Sequence, residues 1–365
     1  MALSKIRNDS LADTAVHGRR NIIINGAMQV AQRGTSTSGK TGGVSFNSCD
    51  RMSFSISSCG TWTVSQDSNA PDGFANSYKV LCTTAKASLA ASNYVIPLNY
   101  VIEGQDLQQL AFGTSSAKKM TMSFWVKSNK TGSGSVEFLQ QDNSGKLFTG
   151  TYTINSADTW EYKTISIPAD TAGVINDDTG HGIQIQFWGN SGSNFTGGSA
   201  GSTWATISNP NRNPNNLGIG GAVNDYWQIT GLQLEVSDTA TPFEHRSYGE
   251  ELALCERYYQ RYSANGSGNG AVAVFADWSG TNAYMPYSFK SKFRAFPTFY
   301  VSDKAHFNAF QSGESSSLTN FTANVVTLDH CEFVIQDSTA IDSQGQAGWL
   351  RFHDTGAWFA FDAEL

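Results

Sequence analysis

The chain has 365 residues, of which 15% are charged and 12% are aromatic, and it contains 35 glycines and 9 tryptophans. This balance favours short strands, many turns and packed aromatic layers over helix bundles. The formal net charge is −7 and no Lys/Arg run is interleaved with aromatic residues, so a nucleic-acid-binding groove is not expected. No segment reaches the ~18 apolar residues that a membrane-spanning helix needs, so membrane insertion is not expected either.

The first 20 residues differ from the rest of the chain because they are polar and poor in aromatic side chains. They lack the apolar segment of a secretory signal, which predicts synthesis in a cytoplasm. Residues 1–20 also contain too little apolar surface to fold alone. We therefore expect them to form an attachment arm.

From residue 21 onward the sequence shows the alternation of period two that is typical of strands. In one example, the segment 120–128, Met122 and Phe124 lie on the face that points toward the core, while Trp125 lies on the opposite face. The clearest strand segments are 51–57, 61–66, 78–84, 119–128, 135–141, 161–168, 182–188 and 226–236. About eight or more strands with Gly, Asn and Ser turns predict a two-sheet jelly-roll sandwich over residues 21–245.

One loop of the predicted sandwich is unusually long. Residues 189–225 contain far more Gly, Ser and Asn than a hairpin needs. Loops of this length in a compact domain are usually functional or flexible. The segment is therefore a candidate for part of a binding site.

A stretch with helical spacing, "GEELALCERYYQRY" (249–262), follows the sandwich. Its apolar and aromatic residues fall at spacings of three, four and three and share one face: Leu252, Cys255, Tyr259 and Tyr262. An isolated helix of this length is marginal in water, so this face must be buried. We expect a connecting helix over 246–265 whose face meets two other copies of the chain, with packing on the chain's own sandwich as the alternative.

Strand-like alternation resumes after the helix and continues through the last residues. The segments are 271–278, 283–289, 298–303, 323–328, 331–337, 348–354 and 357–365. They predict a second, smaller β-sandwich over residues 266–365. The expected fold class is all-β: a jelly-roll sandwich, a short connecting helix and a second sandwich.

The sequence also contains the residue types that bind sugars. Aromatic rings pack on the apolar faces of pyranoses, while amides form hydrogen bonds with hydroxyl groups. Trp188 alternates with apolar residues and therefore faces away from the core, although a single Trp is more often structural than ligand-binding. The candidate glycan-binding residues are Trp188, Gln184, Gln186, Trp204, Trp278, Tyr284 and Tyr287.

No residue pattern indicates catalysis. A glycan hydrolase needs two carboxylates facing each other across a cleft. The carboxylates of Asp225, Glu235 and Glu244 lie near strand ends, and we interpret them as surface groups or ligands of a structural calcium ion. We expect no enzyme activity and no cofactor, with a lyase site assembled from dispersed residues as the alternative.

Six segments resemble a bacteriophage tail-fibre or tail-spike family. They are "NIIINGAMQVAQRGTS" (21–36), "CDRMSF" (49–54), "MTMSFWVKS" (120–128), "TWEYKTISIP" (159–168), "ITGLQLEVSDTATPFEHRSYGEELALCERYYQRY" (229–262) and "FRAFPTFYVS" (293–302). The most specific is "TPFEHRSYGEELALCERYY" (241–259), where a strand exit, a turn and an aromatic helix follow in fixed order. The resemblance covers nearly the whole chain.

This resemblance implies a virion protein whose first domain is similar to a carbohydrate-binding module and whose last domain is the tip of a homotrimer. The implied partners are host surface polysaccharide and, through the arm, other virion proteins. No repetitive shaft is visible, so we expect a compact adsorption unit. A head-fibre or capsid decoration protein without receptor binding is the alternative, and a polysaccharide depolymerase is a less favoured one.

Overall fold

The computed structural model describes residues 19–142, 145–264, 266, 268, 270–277, 282–337 and 345–365. Strands account for 48% of the residues and helices for 7%, which confirms the all-β prediction. The chain forms two compact units, one ending at Glu251 and the other beginning at Leu252. Most of the predicted arm, residues 1–18, lies outside the described residues. None of the described helices has the length and apolar character needed to span a lipid bilayer.

The first unit is a β-sandwich. Its strands are β1 (Ser36–Phe46), β2 (Ser53–Asp67), β3 (Ser77–Thr84), β4 (Tyr94–Glu103), β5 (Met120–Ser128), β6 (Gly132–Gln140), β7 (Lys146–Ile154), β8 (Glu161–Ile167), β9 (His181–Trp188), β10 (Asn190–Ser191), β11 (Ala205–Thr206) and β12 (Tyr226–Glu235). In the described part of this unit, 3₁₀ helices lie between strands at Gly104–Leu110 and Asn209–Asn211. All the strand pairs of this unit are antiparallel.

Strand β2 connects the two leaves of this sandwich because its halves pair with different strands. Residues 53–57 pair with β4, whereas residues 61–67 pair with β3. Between them Gly60 has a φ of +83°, and a Cβ there would lie 2.1 Å from the carbonyl oxygen of Thr84, so the bend requires glycine. The first leaf has the order β11-β7-β6-β9-β4-β2, and the second has the order β2-β3-β12-β5-β8.

Aromatic rings from both leaves fill the space between them. The ring of Phe187 on β9 lies 5.1 Å from Phe124 on β5 and 5.4 Å from Trp227 on β12. The Trp227 indole N–H donates to the hydroxyl of Tyr152 on β7 at 3.0 Å. These residues are all buried. Burial of each such side chain contributes roughly 1.5–3 kcal/mol, so these contacts hold the two leaves face to face.

The segment 21–34, where the alternating region of the sequence begins, runs beside β12 without forming a regular strand. The Ile22 amide donates to the carbonyl of Leu234 at 2.9 Å. Asn25 has a φ of +62°, and its side-chain amide donates to Val30 O and accepts from Val30 N. This Asn-centred turn replaces the strand because the side chain satisfies the local backbone groups.

The second unit contains a ring of strands and a small sheet. Its strands are β13 (Tyr259–Ser263), β14 (Ala271–Asp277), β15 (Asn282–Ser288), β16 (Thr298–Val301), β17 (Phe307–Gln311), β18 (Glu314–Asn324), β19 (His330–Asp337), β20 (Ala347–Phe352) and β21 (Trp358–Asp362). Among the described residues, six strands close in the order β14-β15-β19-β18-β17-β20, and β13-β21-β16 form a separate sheet. The strands predicted as a smaller sandwich are therefore arranged as a closed ring plus one sheet.

An aromatic core lies between this ring and this sheet. Phe333 on β19 lies 5.4 Å from Phe359 and 5.9 Å from Phe361, both on β21. All three side chains are 0% exposed. The aromatic C-terminal strand is thus buried by the chain's own second unit.

The structure contains a helix in the predicted segment, but the helix is shorter than predicted. Helix α1 spans Tyr248–Glu256, and Tyr259 and Tyr262 lie on strand β13 instead. The helix begins with a capping box, in which the Glu250 amide donates to Ser247 Oγ and the Ser247 amide donates to the Glu250 carboxylate. It ends early because tyrosines favour strands, and β13 pairs along its whole length with the aromatic strand β21.

This difference changes the role of the residues predicted to contact other copies of the chain. Cys255 is 0% exposed and Tyr259 is 5% exposed in the single chain, and Leu252 is half-buried. Tyr262 stacks on Phe359, with ring centroids 4.8 Å apart. Cys255 and Tyr259 are therefore buried in the single chain and Tyr262 packs on an aromatic ring of the same chain, which suits the alternative interpretation of the spacing, while contact with other copies of the chain stays a prediction.

Candidate functional site

The outer face of the first leaf carries three of the seven predicted binding residues. On β9, Ile183, Ile185 and Phe187 are 0% exposed and belong to the core. The alternation of the strand places Gln184, Gln186 and Trp188 on the opposite face. The structure thus brings three of the predicted residues together on one surface.

Five side chains on this face form a hydrogen-bonded network, which we call the amide ladder: Ser53, Asn99, Gln141, Gln184 and Gln186. The side-chain oxygen Oδ1 of Asn99 accepts from Gln184 Nε2 at 2.6 Å and from Gln186 Nε2 at 3.2 Å. Asn99 Nδ2 donates to Ser53 Oγ at 2.8 Å, and Gln141 Nε2 donates to Gln184 Oε1 at 2.9 Å. The network fixes the orientation of each amide. Gln186 is nearly buried, whereas Gln184 is half-buried and Gln141 is exposed, so one end of the ladder reaches solvent.

A buried ion pair lies at the other end of the amide ladder. Glu137 on β6 is 0% exposed, and its carboxylate accepts from Trp188 Nε1 at 2.7 Å and from Arg212 Nε at 2.9 and 3.1 Å. Arg212 also donates to Gln186 Oε1 at 3.1 Å, which joins the ion pair to the ladder. Burial raises the pKa of Glu137 above its ordinary value, although Arg212 and Trp188 act in the opposite direction.

The burial of Trp188 removes it from the set of rings that a sugar could contact. Its side chain is 1% exposed and is enclosed by Tyr94 at 5.9 Å, Phe195 at 5.2 Å and the Arg212 guanidinium at 5.2 Å. Trp188 faces outward from the core, as the alternation indicates, but it supports neighbouring rings. The half-buried rings of Tyr94 and Phe195 offer the accessible apolar surface here.

The long loop 189–225 is the reason for this burial. It carries Phe195 and Arg212 onto the outer face, where both contact Trp188. The hydroxyl of Thr149 on β7 donates to the carbonyl of Asn211 at 2.7 Å, which anchors the loop beside Arg212. Part of this loop is therefore built into the outer face of the sandwich.

Trp204 does not join this group. Its indole N–H donates to the carbonyl of Pro168 at 2.7 Å, and its ring lies 5.8 Å from Phe112 and 6.0 Å from Phe148. These contacts place Trp204 against the core of the sandwich. Trp204 was predicted to bind glycan beside Gln184 and Gln186, and the structure places it away from them.

The predicted residues of the second unit are also separated. Trp278 lies outside the described residues. Tyr287 belongs to the aromatic core, where its ring lies 4.8 Å from Phe333, and burial raises the pKa of its hydroxyl. Tyr284 is half-buried and lies on the opposite face of β15, because Ala283 and Met285 on either side of it are 0% exposed.

The carboxylates considered as calcium ligands accept hydrogen bonds from nearby groups. Asp225 accepts from the amides of Gly220 and Ala222, and Glu235 accepts from the amide and hydroxyl of Thr241. Glu244 accepts from backbone amides, among them that of Asn21. Within the described ranges, no group of three or more His, Cys, Asp or Glu residues has a geometry that could hold a metal ion.

Sequence reasoning missed several residues of this face: Tyr94, Asn99, Glu137, Phe195 and Arg212. Asn99 and Glu137 each interrupt an apolar strand, and a polar residue at such a position is a usable signal. Phe195 stands out as an aromatic residue in a Gly, Ser and Asn segment. Arg212 gives no signal, because its position depends on the path of the loop.

The fold and this face define a two-unit all-β protein with a polar, amide-lined surface on its first unit. No protein-family model and no curated protein sequence match the chain.

Several solved structures align with part of the chain at low similarity. The "enzymatically active domain" of tailspike protein 4 of bacteriophage CBA120 aligns with 60% of this chain and 21% of its own, at 12% identity and a TM-score of 0.31. A family 11 carbohydrate-binding module of a Clostridium thermocellum cellulase aligns with 62% of this chain and 97% of its own, at 14% identity and a TM-score of 0.26. A family 30 carbohydrate-binding module aligns over 60% of this chain and 91% of its own length, at 11% identity and a TM-score of 0.28. Scores of this size transfer neither a family nor a function.

Proposed function

We propose that the chain is a phage virion fibre protein that binds a host cell-surface glycan through the outer face of its first unit. The observation that carries the binding proposal is the amide ladder, whose half-buried Gln184 and exposed Gln141 reach solvent. The fibre assignment is supported by the six segments that resemble the tail-fibre and tail-spike family. The proposed localisation is the virion surface.

The chemistry of this face suits a neutral sugar. Each amide offers a donor and an acceptor to hydroxyl groups, and the ladder holds it in place before binding. Gln184 and Trp188 are four residues apart on one strand, so the face is ~13 Å long. Tyr94 and Phe195 lie beside Trp188 and supply apolar ring surface for pyranose C–H groups.

We propose binding without cleavage. Glu137 is the carboxylate at the buried end of this face, and Trp188 and Arg212 donate to its oxygens. A general acid or nucleophile needs an oxygen directed at the substrate. The hydrogen bonds of Glu137 favour a supporting role instead.

The test uses purified full-length protein and oligosaccharides derived from host polysaccharide. Gln184→Ala and Gln141→Ala should each weaken binding by ~5–10-fold, about 1–1.4 kcal/mol, because each removes one hydrogen bond. Thr164→Ala serves as the matched surface control, because Thr164 is exposed on β8 of the opposite leaf. Release of new reducing ends would favour a depolymerase, and the absence of both binding and release would favour a structural head-fibre or decoration protein.

We also propose that the protein works as a homotrimer attached through residues 1–20. We expect each single sugar site to have a dissociation constant near ~1 mM, about −4 kcal/mol. Three linked copies reach avidities ~10²-fold higher without any new contact. Light scattering should give three times the 39.4 kDa chain mass. A mass of one chain would refute the trimer while leaving the binding site untouched.

A further inference from the structure

The outer surface of the closed ring in the second unit carries an exposed apolar row, far along the sequence from the amide ladder. Phe310 on β17 pairs with Trp349 on β20, which in turn pairs with Val274 on β14. Trp349 is 45% exposed and Val274 is 61% exposed. We call Phe310, Trp349, Val274 and the adjacent Arg351 the aromatic platform.

Arg351 lies against this row, and no described residue forms an ion pair with it. Its guanidinium carbon lies 3.6 Å from the ring centroid of Phe310 and 4.9 Å from that of Trp349. The two rings are stacked, 6.0 Å apart at 23°. Among the described residues, the guanidinium has no carboxylate and no hydrogen-bond acceptor. In the described part of the chain, ring contacts therefore hold a planar cation whose N–H donors have no acceptor.

A second unsatisfied group lies beside the platform. Asn308 is the register partner of Arg351 and is only 8% exposed. Its Nδ2 lies 3.4 Å from Ser315 Oγ and 3.2 Å from His353 Nδ1, whereas its buried Oδ1 has no donor among the residues that the structure describes. A buried acceptor without a donor is costly unless an external group completes it.

We propose that the aromatic platform binds an acidic sugar, a pyranose that carries a carboxylate. The C–H face of the pyranose packs on Trp349 and Val274, and the carboxylate accepts from Arg351. A sugar hydroxyl donates to Asn308. The occupant follows from charge complementarity, because a ring-stacked arginine matches a carboxylate in both geometry and charge. The inference rests on the proposed function only in taking a glycan as the partner.

The first test compares two ligands on wild-type full-length protein by calorimetry and NMR titration. The ligands are oligogalacturonate and its methyl ester, which keeps the sugar ring but removes the charge. Alginate and hyaluronan oligomers extend the acidic panel. We expect at least one acidic oligomer to bind near ~1 mM and its uncharged counterpart to bind ~10-fold more weakly. Equal binding of the acid and its ester, or no binding of any acidic oligomer, would overturn the inference.

The second test uses variants with a matched control. Arg351→Gln and Trp349→Ala should each weaken binding of the acidic oligomer by ~10-fold or more. Arg261→Gln is the control, because Arg261 also stacks on a tryptophan of the second unit, with its guanidinium 4.6 Å from the Trp358 ring, and it donates to Ser263 Oγ. Unchanged binding by Arg351→Gln, or equal losses in Arg351→Gln and Arg261→Gln, would contradict the assignment.

The two proposals fail in different ways. Gln184→Ala alters the first unit only, and its effect on neutral-glycan binding tests the proposed function. The acid-against-ester comparison and Arg351→Gln test the aromatic platform. A protein that binds neutral sugars through Gln184 but does not distinguish acid from ester retains the proposed function and lacks the platform site.

Discussion

Removing Arg212 should destabilise the first unit more than any ordinary surface substitution does. Glu137 is 0% exposed, and Arg212 Nε donates to both of its oxygens. In the Arg212→Met variant the carboxylate stays buried, with Trp188 as its one described side-chain donor. Breaking a buried ion pair by removing one partner costs about 3–5 kcal/mol. We therefore expect a loss of this size in the free energy of unfolding.

A second substitution separates the lost charge from the lost packing. In the double variant Arg212→Met and Glu137→Gln, the buried group is neutral and the penalty for an unpaired charge disappears. We expect the double variant to recover all but about 2 kcal/mol, because it still lacks the cation over the Trp188 ring. A double variant no more stable than Arg212→Met would refute the electrostatic reasoning.

The pH dependence of the single variant gives an independent check. The pKa of Glu137 is raised in the folded wild type, and loss of Arg212 raises it further. A carboxyl group with a raised folded pKa contributes stability below its unfolded pKa and loses it as pH rises through the folded pKa. Arg212→Met should therefore lose less stability at pH 4 than at pH 7. A loss that is larger at pH 4 would contradict this sign.

The assay is hydrogen exchange with mass spectrometry on the full chain, because a protein of two units need not unfold in one step. Peptides from β6 and β9 report the opening free energy beside Glu137. Arg261→Met is the control, since it removes a ring-stacked arginine from the second unit. An equal effect of both variants on these peptides would show that the loss is not local.

Three further predictions concern individual residues. Trp188→Ala should destabilise the first unit by about 3–5 kcal/mol because the ring is 1% exposed, so lost cell adsorption at an unchanged melting temperature would contradict its burial. Gly60→Ala should cost about 1–3 kcal/mol in denaturant titration, because φ is +83° and the new Cβ meets Thr84 O; a neutral effect would show that β2 can bend elsewhere. The pKa of Glu161 is lowered to about 2, with hydrogen bonds from Lys163 and nearby amides outweighing the opposing effect of burial. The stability that Glu161 contributes is therefore present above pH 4.5 and lost as pH falls towards 2. Glu161→Gln should be less stable than wild type at pH 6 and nearly equal to it at pH 2, and urea titrations at both pH values can check this.

Strand alternation predicted the first unit well because each strand has one buried face. The segment 182–188 correctly separates the core residues of β9 from the amide ladder, since the period of two is a property of the backbone. The alternation did not show that segments 51–57 and 61–66 are two halves of one strand, β2. The strand continues through a bend at Gly60. In the sequence, a bent strand and a turn between two strands give the same break in the alternation.

The errors came from contacts between residues that are distant in the sequence. The spacing of Tyr259 and Tyr262 suits a helix, but pairing with β21, about 100 residues later, makes them a strand. Trp188 faces outward as predicted, and only the path of the loop through Phe195 and Arg212 shows that it is buried. The apolar row around Trp349 was not predicted, because its other members, Phe310 and Val274, lie on two other strands and are distant from Trp349 in the sequence.

The same chemical pairing occurs on both units with opposite outcomes. Arg212 packs on Trp188 and is neutralised by Glu137, so the charge of that arginine has a buried partner. Arg351 packs on Phe310 beside a Trp349 ring that is 45% exposed, and no described carboxylate neutralises it. The first cluster shows how this chain satisfies an arginine held on aromatic rings, namely with a carboxylate. On the second unit the equivalent position is open to solvent, and an external carboxylate would complete it in the way that Glu137 completes the first.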